Sequence, residues 1–362
     1  MSWFSPEEVE DLPRPSRRRR ATGFVALALV AAGILVMDIL PRPYVIAAPG
    51  PVFNVLGLQD KTPIISISDA KQYPTDGALE LLTVNIYGSP KQTPTWPELI
   101  GAWLDPSQKI LPLEEVFPSG VTQQQRSTED ALLFKDSQSV AKYLALRQLG
   151  YQVPVRVTVD SVPADSPSHG LIKAGDIITA VNGQSVDSIQ TLRAMVQNSD
   201  AGQLVISFER DGVPATVRVT PRLVDGVRRI SVYSYDDFKF PVDIKLQLDQ
   251  VGGPSGGLIF ALGVYDKLTP GALTNGELVA GTGTVARDGS VGPIGGIRQK
   301  MTAAVRSGAS WFLAPAGNCT EVAGHIPKGL TVIKISNFSQ AVKAVQQIGK
   351  THQAGGLPSC QP

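Results

Sequence analysis

Residues 252–268, GGPSGGLIFALGVYDKL, place a serine between a Gly-Gly-Pro step and two more glycines, directly ahead of a run of helix formers. The local pattern predicts a tight turn running into a helix N-terminus. Two roles fit Ser255 there. A serine just before a helix commonly caps it, accepting a hydrogen bond from the first turn. Alternatively, glycines on both sides let a substrate backbone approach closely, while Pro254 stiffens a turn that presents the hydroxyl. In that second role an oxyanion would be held by the Ser255 amide and another nearby amide, because Pro254 has no N–H, aided by the dipole of the following helix. The choice depends on what else the chain brings to the turn.

A serine hydroxyl is a weak nucleophile unless a base takes its proton. The histidines are poorly placed for that: His169 lies in a Gly/Pro-rich loop, His325 in another, and His352 near the C-terminus. A lysine can serve when burial disfavours its ammonium form. Lys300 follows Ser255 by 45 residues and sits one turn into the helix opened by PIGGIRQK. The positive end of a helix disfavours a second positive charge, so a lysine there runs against ordinary helix charge placement. By position alone it is also compatible with a surface lysine.

Length and composition bound the rest. The 362 residues suffice for two or three domains, and 43% hydrophobic with 18% charged residues is globular. A net charge of +1 argues against nucleic acid as a partner. Arg14, Arg17, Arg18, Arg19 and Arg20 precede the apolar run ATGFVALALVAAGILVMDIL at 21–40, which Pro41 and Pro43 terminate. A run of about 20 apolar residues spans a bilayer, and the basic flank stays cytoplasmic. The expectation is a single-pass membrane helix at 21–42, with a cytoplasmic tail at 1–20 and the bulk of the chain outside the cytoplasm. A cleaved signal peptide is the alternative, although a cut after Ala48 would match the small-residue pattern poorly. In an oxidising compartment Cys319 and Cys360 can pair; two unrelated thiols fit equally well. No C-x-x-C or H-E-x-x-H spacing occurs, so neither a metal nor a cofactor is expected.

The remaining chain divides by pattern into an α+β multidomain protein. Residues 44–150 form a mixed region without a chemical signature, containing a strand at ALELLTVNIYG and a helix from Ser127, with a Ser-x-x-Asp start, to Gly150. Residues 151–224 are β-rich around one helix, with a hairpin turning at Asp211-Gly212. Residues 226–349 mix strands and helices, with a second hairpin turning at Asp288-Gly289, and 350–362 form a tail that only Cys360 could anchor.

Within 151–224, Gly170-Leu171, Gly175-Asp176-Ile177-Ile178 and Val181-Asn182-Gly183 resemble the signature of a bacterial PDZ domain. That resemblance implies a reader of extended C-termini, bound as an added strand. It puts the peptide loop just before the first strand, near Leu149, Gly150 and Tyr151. Further on, Gly253-Pro254-Ser255-Gly256-Gly257, Gly281-Thr282-Gly283 and VGPIGGIRQKMTAAVRSG resemble the proteolytic domain of the Lon family. The resemblance implies a Ser-Lys dyad: Ser255 as nucleophile, Lys300 as general base, Thr282 supporting the lysine, and the turn at Gly253 supporting the oxyanion site. Many Lon enzymes carry an acidic residue where this chain has Gly252. No G-x-x-x-x-G-K-[ST] phosphate loop is present. Together with the apolar run, the combination resembles the membrane-anchored, PDZ-containing Lon-like proteases of Gram-positive bacteria. It implies ATP-independent cleavage of extracytoplasmic protein or peptide substrates, and a homo-oligomer, by family a hexamer. A catalytically idle PDZ adaptor at the membrane surface, and a signal-peptidase-like enzyme, are the alternatives.

Overall fold

In the computed structural model the described residues are 42–360 apart from 119, 121, 201, 225 and 250, together with the isolated positions 25, 28 and 29. The expected membrane helix therefore lies almost wholly outside the described residues. Among those described, no helix is long and apolar enough to cross a membrane. The chain divides into a smaller unit, residues 1–49 and 84–126, and a larger one, residues 50–83 and 127–362.

Strand β1 (Tyr44–Asn54) begins in the smaller unit, and its buried Val45–Ala48 stretch pairs antiparallel with a later strand, Tyr44 opposite Pro112. Strand β2 (Ile65–Ser68) turns Ile65 and Ile67 inward. Strand β3 (Ala78–Tyr87) buries five consecutive residues, Ala78 to Leu82, as a strand covered on both faces must. Helix α1 (Trp96–Leu104) starts with a reciprocal capping box between Thr95 and Glu98. With β4 (Lys109–Pro112) it encloses a small core of Ile46, Leu99 and Ala102.

Helix α2 (Gln123–Gln148) starts four residues before the Ser-x-x-Asp signal. The cap is Thr122 with Gln125: the Thr122 amide donates to Gln125 Oε1 at 2.8 Å, and the Gln125 amide donates to Thr122 Oγ1 at 3.2 Å. Either pair could have capped a helix. The earlier one adds a turn and leaves Ser127 and Asp130 in the helix body. Gly150, at φ +88°, follows its end.

A β-rich module follows, with β5 (Val155–Ser161), β6 (Ile177–Val181), α3 (Ile189–Gln197), β7 (Leu204–Arg210), β8 (Val213–Val219) and β9 (Tyr233–Phe238). Its sheet runs β8-β7-β6-β5-β9 with antiparallel neighbours. The Asp211-Gly212 turn joins β7 to β8 with both residues at positive φ, 52° and 79°. Ser188 caps α3 by accepting from the Thr191 amide at 3.0 Å.

Strand β10 (Asp243–Leu246) pairs with β2. Then come α4 (Gly257–Lys267), β11 (Leu278–Gly281), the short hairpin β12 (Thr284–Val285) and β13 (Val291–Gly292), α5 (Ile297–Ser307), β14 (Trp311–Pro315), β15 (Thr331–Ile335) and α6 (Phe338–Thr351). In the larger unit the main sheet runs β15-β14-β11-β3-β1, the first four strands parallel. Helix α4 is buried on all sides, Leu258, Ile259, Phe260, Ala261, Leu262 and Val264 each being 0% exposed. Its neighbours come from far upstream. Phe260 meets Phe134 of α2 edge-on at 5.8 Å, and a Cβ on Gly263 would come 2.6 Å from Ile65 Cδ1.

Residues 44–150 are thus not a self-contained domain. Strands β1, β2 and β3 and helix α2 share one hydrophobic core with α4, β11, β14 and α6. Parallel pairing such as Leu79 opposite Val279 joins residues 200 apart in sequence, and periodicity carries no trace of it.

Cys319 and Cys360 are joined by a disulfide across 41 residues. The Lys334 amide also donates to the Pro358 carbonyl at 2.8 Å, so the tail lies along β15. Closing a loop of this length is worth about 3–4 kcal/mol in the chain-entropy account. Cys360→Ser, or reduction of the wild type, is accordingly expected to lower the melting temperature by several degrees, and a thermal melt with and without dithiothreitol measures it.

Candidate active site

The Gly-rich turn predicted at 252–257 is a single 3₁₀ turn, Pro254–Gly256, leading straight into α4. Gly253 takes φ +79°, a conformation that favours glycine. Gly256 and Gly257 are required by space: a Cβ would lie 2.6 Å from Leu81 Cδ1 at the first and 2.5 Å from Ser137 Oγ at the second. Ser255 is not a cap. No side chain caps either the turn or α4, and the Ser255 hydroxyl instead faces a lysine.

That lysine is Lys300, whose Nζ lies 2.8 Å from Ser255 Oγ and 3.0 Å from Thr282 Oγ1. It projects from the first turn of α5, which begins after Gly296 at φ +69°. Asn318 holds the segment before it at both edges, accepting from the Ile294 amide at 3.0 Å and donating to the Ile294 carbonyl at 2.9 Å. Lys300 is 3% exposed and Thr282 1%. No carboxylate compensates the burial, and desolvation pushes the Lys300 amine down to about 7.

Thr282 fixes the orientation of the amine. Its hydroxyl donates to the Ser255 carbonyl at 3.1 Å, so its oxygen accepts from Nζ. A neutral amine that spends one N–H on Thr282 is left with one N–H and its lone pair, and at 2.8 Å either can face Ser255 Oγ. The Gly283 amide also donates to the Ser255 carbonyl, at 2.9 Å, locking the turn to the β11–β12 connection. Thr282→Val keeps the shape and removes the acceptor. A roughly 10- to 100-fold fall in kcat with little change in KM is expected from steady-state kinetics.

Helix α2 contributes contacts that no sequence signal foretold. Ser137 donates to the Pro254 carbonyl at 2.9 Å, and the Gly253 amide donates to the Asp130 carbonyl at 2.9 Å. A Cβ on Gly252 would lie 3.0 Å from the Asp130 side chain, so the turn rests against α2 at this point. Residues 117 apart meet here.

A second concavity, with a cavity volume of about 520 Å³, lies in the β-rich module between α3 and the segment entering β9. Ile189, Leu192 and Val196 line it from the helix, Ile230, Val232 and Tyr233 from the opposite side. Strand β9 ends the sheet: it pairs with β5 on one side, Phe238 opposite Val155, and with no strand on the other among the described residues. Such an edge can accept an extended peptide. None of Leu149, Gly150 and Tyr151, where the peptide loop is expected from the sequence, lines this cavity. Leu149 packs on the main core, and Gly150 follows the end of α2. The edge strand comes from the end of the module rather than its start, within residues first assigned to the 226–349 domain.

Two stretches of the chain match models of known protein families. Residues 249–348 match the Lon protease (S16) C-terminal proteolytic domain, and residues 158–210 match the PDZ domain. The C-terminal part of the chain is therefore a peptidase domain of the serine class. A Lon protease of Rickettsia felis is 29% identical over 113 residues, covering 30% of this chain and 14% of that protein. Lon protease 2 of Bacillus subtilis is 30% identical over 95 residues, 26% of this chain and 17% of its own. The chain thus spans about one seventh of the length of the Rickettsia relative (14%). Among solved structures, the PDZ domain of the SdrC-like protein from Listeria innocua is 26% identical, covering 22% of this chain and 92% of its own, with a TM-score of 0.21.

Proposed function

We propose that the protein is an ATP-independent serine endopeptidase in which Ser255 is the nucleophile and Lys300 the general base. The observation that carries this reading is the buried amine 2.8 Å from the serine hydroxyl, its pKa lowered to about 7 by burial. The neutral amine takes the hydroxyl proton as Ser255 Oγ attacks a peptide carbonyl. Backbone amides at the start of α4, with the positive end of its dipole, stabilise the oxyanion of the tetrahedral adduct. The ammonium then returns the proton to the leaving amine as the C–N bond breaks, leaving an ester on Ser255. Water, deprotonated by the same amine, attacks the ester and frees the serine.

The groove between α3 and β9 selects or positions the substrate by adding a strand at β9. Arg193 and Arg229 on its rim suit a free C-terminal carboxylate, and Leu192 and Val196 suit an apolar last residue. In this reading the segment at 21–42 anchors the chain by a single span, with the N-terminus cytoplasmic and the peptidase outside, acting on extracytoplasmic proteins. The absence of a phosphate loop from the sequence limits substrates to accessible or unfolded segments. Hydrolysis of labelled casein without nucleotide, by wild type and by Ser255→Ala, tests the proposal. Equal cleavage by the two proteins would sink it, and a groove that binds peptide without any cleavage would favour the adaptor instead.

A further inference from the structure

The turn between β12 and β13 carries a cation that reaches into the β-rich module. Arg287 Nη1 donates to the Asp187 carbonyl at 2.6 Å and to Asp236 Oδ2 at 3.3 Å. Its guanidinium carbon lies 5.4 Å from the centroid of Tyr143 in α2 and 6.0 Å from that of Phe238 in β9. The side chain is 15% exposed and that of Asp236 8%. Its Nε has no protein partner among the described residues, an arrangement that is unfavourable for a buried donor.

Both partners of Arg287 sit behind the groove, on or next to the two elements that border it, and neither lines the cavity itself. Asp187 immediately precedes α3 and its cap Ser188. Asp236 lies in β9, and its Oδ1 accepts from the amide of Ile189, the first residue of α3, at 3.0 Å. One carboxylate thus ties the edge strand to the opposing helix, and one arginine grips that tie. On its other side Arg287 is two residues from Val285, which packs where a Cβ on Gly257 would come within 2.6 Å, and five from Thr282, which holds Lys300. The Asp236–Ile189 bond thus spans from β9 to α3, and the short paired hairpin that carries Arg287 leads back to Thr282 beside the Ser255 turn.

We propose that Arg287 is a positioning residue that makes the Ser255–Thr282 turn respond to occupancy of the groove between α3 and β9. This rests on reading Ser255 and Lys300 as the peptidase dyad. Coupling between sites needs an element that both bias, and the Asp236–Arg287–Asp187 junction is that element.

The test uses the full chain carrying Ser255→Ala, so that no outcome depends on turnover, and reads amide hydrogen exchange in segments 253–258 and 281–292. Two perturbations fill the groove: the peptide Gly-Gly-Ser-Val-Val-Leu with a free carboxylate, its C-terminal amide serving as control, and the substitution Gln197→Trp at an exposed position on the rim. At least a threefold change in exchange at 253–258 is expected from one or both, disappearing in Arg287→Gln and partly restored in Arg287→Lys. Unchanged exchange under both perturbations, or the same response in Arg287→Gln, overturns the proposal. Casein cleavage by the active chain is scored separately. A chain that shows the exchange response without cleaving refutes the peptidase reading and leaves the coupling standing.

Discussion

Lys300→Met is expected to lower casein cleavage by roughly 10³-fold, the usual contribution of a positioned general base, while raising the stability of the fold. The two effects have one cause. The site is useful because it withholds water from an amine, and withholding water from an amine is unfavourable. The folded-state pKa of about 7 lies below the ordinary lysine value of 10.5. Between those values unfolding takes up a proton, so stability rises with pH across that window, and the penalty is fully present below about pH 7. By that linkage the penalty is roughly 3–5 kcal/mol. Methionine, similar in length and uncharged, removes it. Thermal melts at about pH 6 and about pH 9 should show a larger gain for the variant at the lower pH. A destabilised Lys300→Met at both pH values would mean that the amine contributes packing the structure does not reveal. In the wild type kcat/KM should rise with pH through about 7, because only the free amine can accept the serine proton.

The second large effect concerns where the peptidase domain begins. A fragment of residues 226–362 contains Ser255, Thr282, Lys300 and the disulfide, yet it is expected not to fold. It lacks Leu79 and Leu81 of β3, beside β11, and Phe134, Ala141 and Leu144 of α2, which belong to the same core as α4. Exposing α4 residues that are 0% exposed in the whole chain costs about 1.5–3 kcal/mol for each large side chain. Four or five such residues exhaust the roughly 5–15 kcal/mol by which a domain is normally stable. Circular dichroism in urea should show a cooperative transition for residues 42–362 and none for the fragment. A cooperative melt of the fragment would show that the upstream strands and α2 are dispensable to this core.

Local elements were readable because each has a short-range cause. The Asp211-Gly212 and Asp288-Gly289 turns and the strand at ALELLTVNIYG all rest on neighbours a few residues away. The Ser255 turn was likewise visible as a glycine pattern, and Lys300 as a lysine out of place at a helix N-terminus. The start of α2 was misjudged because two capping pairs competed, and the pairing of β9 with β5 left no local trace because that edge of the module is supplied from its far end.

The amino-acid sequence by itself determined the chemistry available to this protein: a serine on a turn whose glycines admit a close approach, a lysine placed against the usual helix charge, and two cysteines able to close a loop. Tertiary structure alone decided the environment that makes the chemistry work. The Lys300 amine is depressed because β11, α5 and their neighbours exclude water from it, and the turn is held because α2 reaches it from 117 residues away. Desolvation and parallel strand pairing depend on what is near in space, and a linear pattern has no means of recording that.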